Sequence, residues 1–288
     1  MKTGYTDEEL DKLHRCLYDI LRETVRVCNE INVKFFMVGG SMIGCHFWDA
    51  IVPIDDDVDV GMPRSDYERF LKEAPSRLRD GYILQWFGNT PETPFYFAKV
   101  RKTGTLFVEE TTRNLDMPQG IYVDIFPFDH IPDDIKKQRR QRKLANMVNS
   151  CFVSKSVWTY KYCGKCEIAV PNKHGFLNCL FDRVVNMFVP KRTLYCLLKR
   201  VQTRYNDKET VYCSNVMTDM DQVRVEYVND LQPAKFGDID VFLPKNYEEY
   251  LHHHYPNLRK HLPKEEAEKY SHRPVKLSFG DEAHTSEN

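Results

Sequence analysis

The stretch Pro53-Ile54-Asp55-Asp56-Asp57-Val58-Asp59-Val60-Gly61 constrains this chain more than any other. Four carboxylates within five residues repel one another, and a purely structural role would not favour them. Alternation along a strand would set Asp55, Asp57 and Asp59 on one face and turn Val58 and Val60 into a core. Asp57 and Asp59 would then stand about 7 Å apart along the backbone, close enough for both to reach one hard cation. Magnesium (or manganese) suits such oxygen ligands and leaves positions open for phosphate oxygens. For an isolated Asp-x-Asp the competing reading is a solvated acidic loop or a capped turn.

A second acidic position favours the metal reading. Ile121-Tyr122-Val123-Asp124-Ile125-Phe126 reads as an apolar strand with one carboxylate, unfavourable to bury unless paired or metal-bound. Beside a strand carrying Asp57 and Asp59, Asp124 completes a three-carboxylate site. Gly40-Ser41 follows an apolar run at 33–38, at a strand-to-helix turn where backbone N–H groups can receive a phosphate. Lys99 and Arg101 flank Val100 and so share one side of a strand. There they can hold phosphate oxygens as point charge and fork, the alternative being exposed strand-edge cations.

Periodicity supplies the frame. Thr6 with Glu9 forms a capping box ahead of Leu10, Leu13, Leu17, Ile20, Leu21, Cys28 and Ile31 at helical spacing. Strands are predicted at 33–38, 58–62, 82–87, 95–100, 121–126 and 239–243. Short helices are predicted from the Gly39-Gly40-Ser41 turn to Trp48, over 65–71 behind a second box of Ser65 and Glu68, and over 247–254. Residues 133–206 are mostly helical in pattern, with an interruption at 162–175. The mixture predicts an α/β (α+β) fold, a mixed sheet flanked by helices with a largely helical second half. Residues 1–130 form the expected catalytic core, and 131–288 a helical and C-terminal segment packed on it.

Composition narrows the function. Lys plus Arg (41) nearly balance Asp plus Glu (42), which argues against a general nucleic-acid binder. No apolar run is long enough to cross a bilayer, and the polar N-terminus is no secretory signal. The nine cysteines then read as reduced thiols, and the expected location is cytoplasmic. Cys163, Cys166, His174 and Cys179 have zinc-ligand identities without a standard spacing, so plain thiols are favoured. Six basic residues between Lys136 and Lys143 suggest a solvated helix surface, or a peripheral contact with the inner face of an anionic membrane. His252-His253-His254 reads as an exposed helix end. Trp86, Phe95, Tyr96, Tyr122 and Phe128 could cage a choline head, but strand aromatics are more often core.

The Gly-Gly-Ser turn, the following Pro-x-Asp-Asp-Asp-Val-Asp-Val-Gly-Met-Pro-Arg-x-Asp-Tyr-Glu-Arg-Phe, and Gly120-Ile-Tyr-Val-Asp-Ile-Phe-Pro-Phe-Asp129 together resemble the LicD family. Phe97-Ala-Lys-Val-Arg101 and the block from Phe242 to Leu251 agree with it. The resemblance implies a nucleotidyltransferase-like fold. It also implies Mg²⁺-dependent transfer of a phospho-alcohol, such as phosphocholine from CDP-choline, to a hydroxyl of a surface glycan or lipid-linked glycan such as lipopolysaccharide or teichoic acid. By that likeness Gly40 and Ser41 form the phosphate turn, and Asp57, Asp59 and Asp124 hold the metal, with Asp124 also taking the acceptor's proton. Phe47-Trp48, Ala50 and Ile54 replace the family's usual Arg-His, Gly and Trp, which bears on the donor or acceptor recognised. The rival readings are a nucleotidyltransferase that moves NMP to a small hydroxyl compound, and a non-catalytic binding relative. Changing any of the three aspartates to Asn is expected to abolish turnover and, by relieving repulsion, to leave the fold intact or firmer.

Overall fold

The computed structural model describes residues 5–162, 184–217, 222–260 and 273–280. The first helix, α1 (Asp7–Glu30), starts as expected. Thr6 Oγ1 accepts from the Glu9 N–H at 3.1 Å, while the Glu9 carboxylate accepts from the Thr6 N–H at 2.8 Å. The apolar stripe Leu13, Leu17, Ile20, Leu21 and Cys28 is buried in the main core. Asn32, in the left-handed region, turns the chain toward β1 (Phe36–Met37). That strand is shorter than the 33–38 run suggests, because α2 (Gly39–Trp48) begins at once.

The central sheet has the order β1, β2 (Asp59–Pro63), β6 (Tyr122–Ile131), β4 (Ala98–Lys102), β3 (Tyr82–Gln85). The β2/β6 pair is parallel, and β1/β2, β6/β4 and β4/β3 are antiparallel, so the sheet is mixed. One face carries Val60, Met62, Val100, Val123 and Ile125 into the core with α1. The far end of β6 pairs with β7 (Tyr212–Ser214), which pairs with β8 (Val223–Arg224). Short β5 (Leu106–Val108) pairs with β11 (Lys276–Ser278).

Three expectations are corrected in detail. The 95–100 strand shifts to 98–102, since Phe95 and Phe97 turn toward Lys99 instead of joining the ladder. The strand expected at 121–126 continues to Ile131, because a second partner, β7, pairs with its far half. Ser65 and Glu68 do not cap α3 (Arg64–Glu73), which has Pro63 at its N-cap. Glu68 instead meets Arg64 at 3.3 Å and Lys199 at 2.7 Å. Arg64 also forks onto the fully buried Asp129, with Nε–Oδ1 2.8 Å and Nη2–Oδ2 2.5 Å. Asn206 donates to the same carboxylate at 2.7 Å. This network ties the first half of the chain to α5 (Lys191–Gln202) and the turn after it, and Gln141 of α4 (Ile135–Tyr162) donates to the Val201 and Gln202 carbonyls at 2.9 and 3.2 Å.

Farther on come a short α6 (Val225–Asn229), the hairpin β9 (Leu231–Phe236) and β10 (Ile239–Pro244), and α7 (Tyr247–His254). Phe236, Val241, Leu243 and Leu251 join the main core, and Phe242 meets Phe35 edge-on. The histidines do form the end of α7, where His252 and His253 are exposed and His254 Nε2 lies 2.9 Å from the Gln222 carbonyl. Cys16, Cys28, Cys45, Cys151, Cys196 and Cys213 are free thiols. Cys163, Cys166, His174 and Cys179 lie outside the described residues, as does nearly all of the 162–175 interruption. No helix among the described residues is long and apolar enough to cross a membrane.

Candidate active site

Sheet register assembles the site. Asp59 of β2 lies directly opposite Asp124 of β6, and Asp124 lies opposite Lys99 of β4. Three charged side chains therefore form one row across three strands on the face away from Val60, Val100 and Val123. The strand begins only at Asp59, because Asp55 closes a turn onto the Val52 carbonyl at 2.9 Å. Asp55, Asp56 and Asp57 thus belong to a loop, a correction to the strand alternation expected for them. Ligand oxygens of these three lie within 4.8 Å of one another.

Neighbouring elements hold this loop. Tyr5 donates to Asp56 Oδ2 at 2.8 Å, and His14 Nε2 lies 2.8 Å from the Asp55 carbonyl, so α1 and the residues just ahead of it fix the loop from one side. The start of α2 fixes it from the other. A Cβ on Gly39 would sit 3.3 Å from Asp59 Oδ2, and one on Gly40 would collide with Asp55 Oδ2. Gly39, at φ +55°, also occupies the left-handed region that disfavours a side chain. Ser41 is buried and its Oγ accepts from the Asp59 N–H at 2.9 Å. The Gly-Gly-Ser turn is therefore built against the carboxylates, and Ser41 anchors the first residue of β2.

Lys99 and Arg101 do share one side of β4, yet both are only 2% exposed, so neither is an edge cation. Lys99 Nζ lies 2.7 Å from Asp124 Oδ1, 3.9 Å from Glu109 Oε1 and 3.3 Å above the Tyr122 ring, with Phe95 at 4.4 Å. Two of the aromatics considered as a cage thus surround a lysine of the chain itself. Arg101 donates to Gln85 Oε1 at 2.5 Å and to the Gly120 carbonyl at 2.6 Å, contacts that hold β4 against its neighbours. Glu109, just after β5, was not singled out from the sequence. It accepts from Tyr122 Oη at 2.6 Å and flanks Lys99.

The electrostatics follow from this crowding. Burial pushes the Asp124 carboxyl up to about 6, against the pull of Lys99, and Asp57 and Glu109 push the same way. Burial, then Glu109 and Asp124, raise the Tyr122 phenol well above its ordinary value, keeping it a donor to Glu109. Hard carboxylate oxygens backed by a glycine turn fit magnesium or manganese. Among the described residues the carboxylates whose oxygens meet within 4.8 Å are Asp55, Asp56 and Asp57, whereas Asp59 and Asp124 face each other in register and would join Asp57 around an ion.

The family model described as LicD/FKTN/FKRP, nucleotidyltransferase domain, matches residues 32–172. That stretch is a LicD-family domain. It contains every residue of the row, the acidic loop and the glycine turn. The chain is 24% identical over 130 residues to the lipopolysaccharide cholinephosphotransferase LicD of Haemophilus influenzae, a match covering 43% of this chain and 48% of that protein. It is 29% identical over 69 residues to an uncharacterized protein of Rickettsia typhi, covering 24% of this chain and 22% of the relative. An uncharacterized Rickettsia prowazekii protein matches at 26% over 70 residues, or 24% and 26% of the two chains. The chain therefore spans about half of the Haemophilus relative and about a quarter of the other two. Within the LicD domain, Phe47 and Trp48 end α2 in edge-on contact, and His46 Nδ1 lies 3.2 Å from Tyr247 Oη. His46, which adjoins Phe47 and Trp48, thus lies where α2 meets α7.

Proposed function

We propose that this chain is a Mg²⁺-dependent phosphotransferase that moves a substituted phosphate, such as phosphocholine, from a CDP-linked donor to a hydroxyl of a glycan or lipid-linked glycan. The observation that carries the reading is the register match of Asp59 with Asp124 on adjacent parallel strands, with Asp57 near enough to raise the Asp124 carboxyl and the Gly39–Ser41 turn packed against Asp55 and Asp59. The domain family and the name of the Haemophilus relative support the same chemistry. Such a reaction places the protein on the cytoplasmic side, where nucleotide donors meet membrane-linked acceptors.

Bound magnesium would supply positive charge to the donor diphosphate and to the transferring phosphoryl group. The chain's own residues supply the rest. Asp57 and Asp59 orient ligand oxygens from a loop braced by Tyr5, His14 and the glycine turn. Asp124 takes the proton of the acceptor hydroxyl on a carboxylate oxygen. Burial pushes its carboxyl up to about 6 in the metal-free site, which leaves it mostly ionised at neutral pH and able to accept that proton. Lys99 keeps Asp124 in place through the 2.7 Å pair.

The test supplies CDP-choline or CTP with Mg²⁺ and a lipopolysaccharide acceptor. Acceptor-dependent release of CMP from CDP-choline supports the reading. Pyrophosphate release from CTP would identify an NMP transferase instead, and no Mg²⁺-dependent product from either would favour a binding role.

A further inference from the structure

The α4–α5 helix pair has a charge distribution unlike the rest of the molecule. The chain is nearly neutral overall, yet neither helix contains an Asp or Glu, while α4 carries eight Lys and Arg and α5 four. The inward faces are used in packing, where Ala145, Val148 and Phe152 lie in small cores shared with Leu194, Leu198 and Val201. Lys136, Lys137, Arg139, Arg140 and Lys143 of α4, and Arg192 and Arg200 of α5, are exposed. Large apolar side chains stand exposed among them. Ile135, Met187 and Phe188 are 62%, 70% and 74% accessible, and Leu144, Met147 and Leu197 are also exposed.

A cationic face serving only solubility has no use for exposed aliphatic and aromatic groups. A nucleic-acid backbone would complement the cations but not Ile135, Leu144, Met147 or Phe188. An anionic bilayer complements both, attracting cations to its headgroups and receiving apolar side chains at the acyl boundary. We propose that the outer face of α4 and α5, with the helical turn at 184–188, docks the protein on an anionic lipid bilayer.

The same helix pair grips the 86–97 segment that supplies Phe95 to the Lys99 cage. Lys191 Nζ donates to the Pro91 and Thr93 carbonyls at 2.6 and 2.8 Å, Ser156 Oγ donates to the Glu92 carbonyl at 2.7 Å, and Tyr195 stacks on Phe87 at 4.5 Å. Docking would therefore hold a rigidly attached carboxylate site near the lipid surface. The docking does not depend on which group the site transfers.

The test is co-sedimentation of the full chain with phosphatidylcholine vesicles, with and without phosphatidylglycerol, across a sodium chloride series. Binding only to the anionic vesicles, weakening as salt rises, is expected. Lys136→Gln/Lys137→Gln/Arg139→Gln/Arg140→Gln should lower the vesicle partition coefficient about a hundredfold or more. Met187→Ser/Phe188→Ser should lower it about tenfold. All six positions are exposed, so both variants should keep the parent melting temperature. Failure to sediment with anionic vesicles, equal binding to neutral ones, undiminished binding by both variants, or tighter binding to duplex RNA at the same salt would overturn the proposal.

Discussion

Replacing Lys99 by Met removes the ammonium that faces Asp124 at 2.7 Å, while keeping an unbranched stem for the Tyr122–Phe95 cage. Breaking a buried pair costs about 3–5 kcal/mol when the surviving charge stays ionised. Asp124 can relieve that penalty by taking up a proton. Its carboxyl is pushed up to about 6 by burial even with Lys99 pulling it down, so without Lys99 it rises further. A carboxyl raised above its unfolded value contributes stability below that unfolded value and loses it as pH climbs through the folded one. At pH 5 Asp124 is mostly protonated in both proteins, and the variant loses little beyond the cation–ring contacts. Between pH 6 and the variant's higher value, the variant falls behind by about 1.4 kcal/mol per pH unit. Urea unfolding in chelator should therefore give a loss about 2–3 kcal/mol larger at pH 8 than at pH 5. Adding Asp124→Asn to the variant should flatten that difference. An equal loss at both pH values, or none at pH 8, would refute the coupling of Lys99 to Asp124.

Asp57→Asn and Asp59→Asn should each abolish Mg²⁺-dependent CMP release with an unchanged or higher melting temperature, measured on the same preparations. Asp124→Asn should also abolish turnover but lower the melting temperature, because it leaves Lys99 buried without its partner. Here the structure revises the sequence argument, in which relief of repulsion applied to all three. Gly40→Ala should push Asp55 aside and weaken Mn²⁺ binding about tenfold in calorimetric titration, with the fold retained. Arg64→Met should cost about 3–5 kcal/mol in urea unfolding by stranding the buried Asp129 carboxylate.

Local signals in the sequence are legible where local chemistry decides the outcome. The Thr6–Glu9 box starts α1 because both of its hydrogen bonds close within one turn. The Gly-Gly-Ser turn starts α2 because the backbone there must pass against Asp55 and Asp59. The pairing of Asp59 with Asp124 was anticipated from two apolar strands that each carry an acid. Long-range competition hid the rest. Phe95-Tyr96-Phe97 has strand composition, but a buried ammonium attracts two of the three rings. Ser65 and Glu68 have capping spacing, but Arg64 and Lys199 claim the glutamate. Glu109 was invisible because its neighbours Tyr122 and Lys99 reach it only through the sheet. Lys99 and Arg101 were located correctly in register, while their partners, Asp124 and the Gly120 carbonyl, depended on which strand lies next to β4.

Crystals grown with Mn²⁺ and CDP-choline, with data collected at the manganese absorption edge, would show directly which carboxylates hold the ion. An anomalous peak is expected in ligand contact with Asp57, Asp59 and Asp124, beside the start of α2. A peak held only by Asp55 and Asp56, or none in the presence of bound nucleotide, would contradict that assignment.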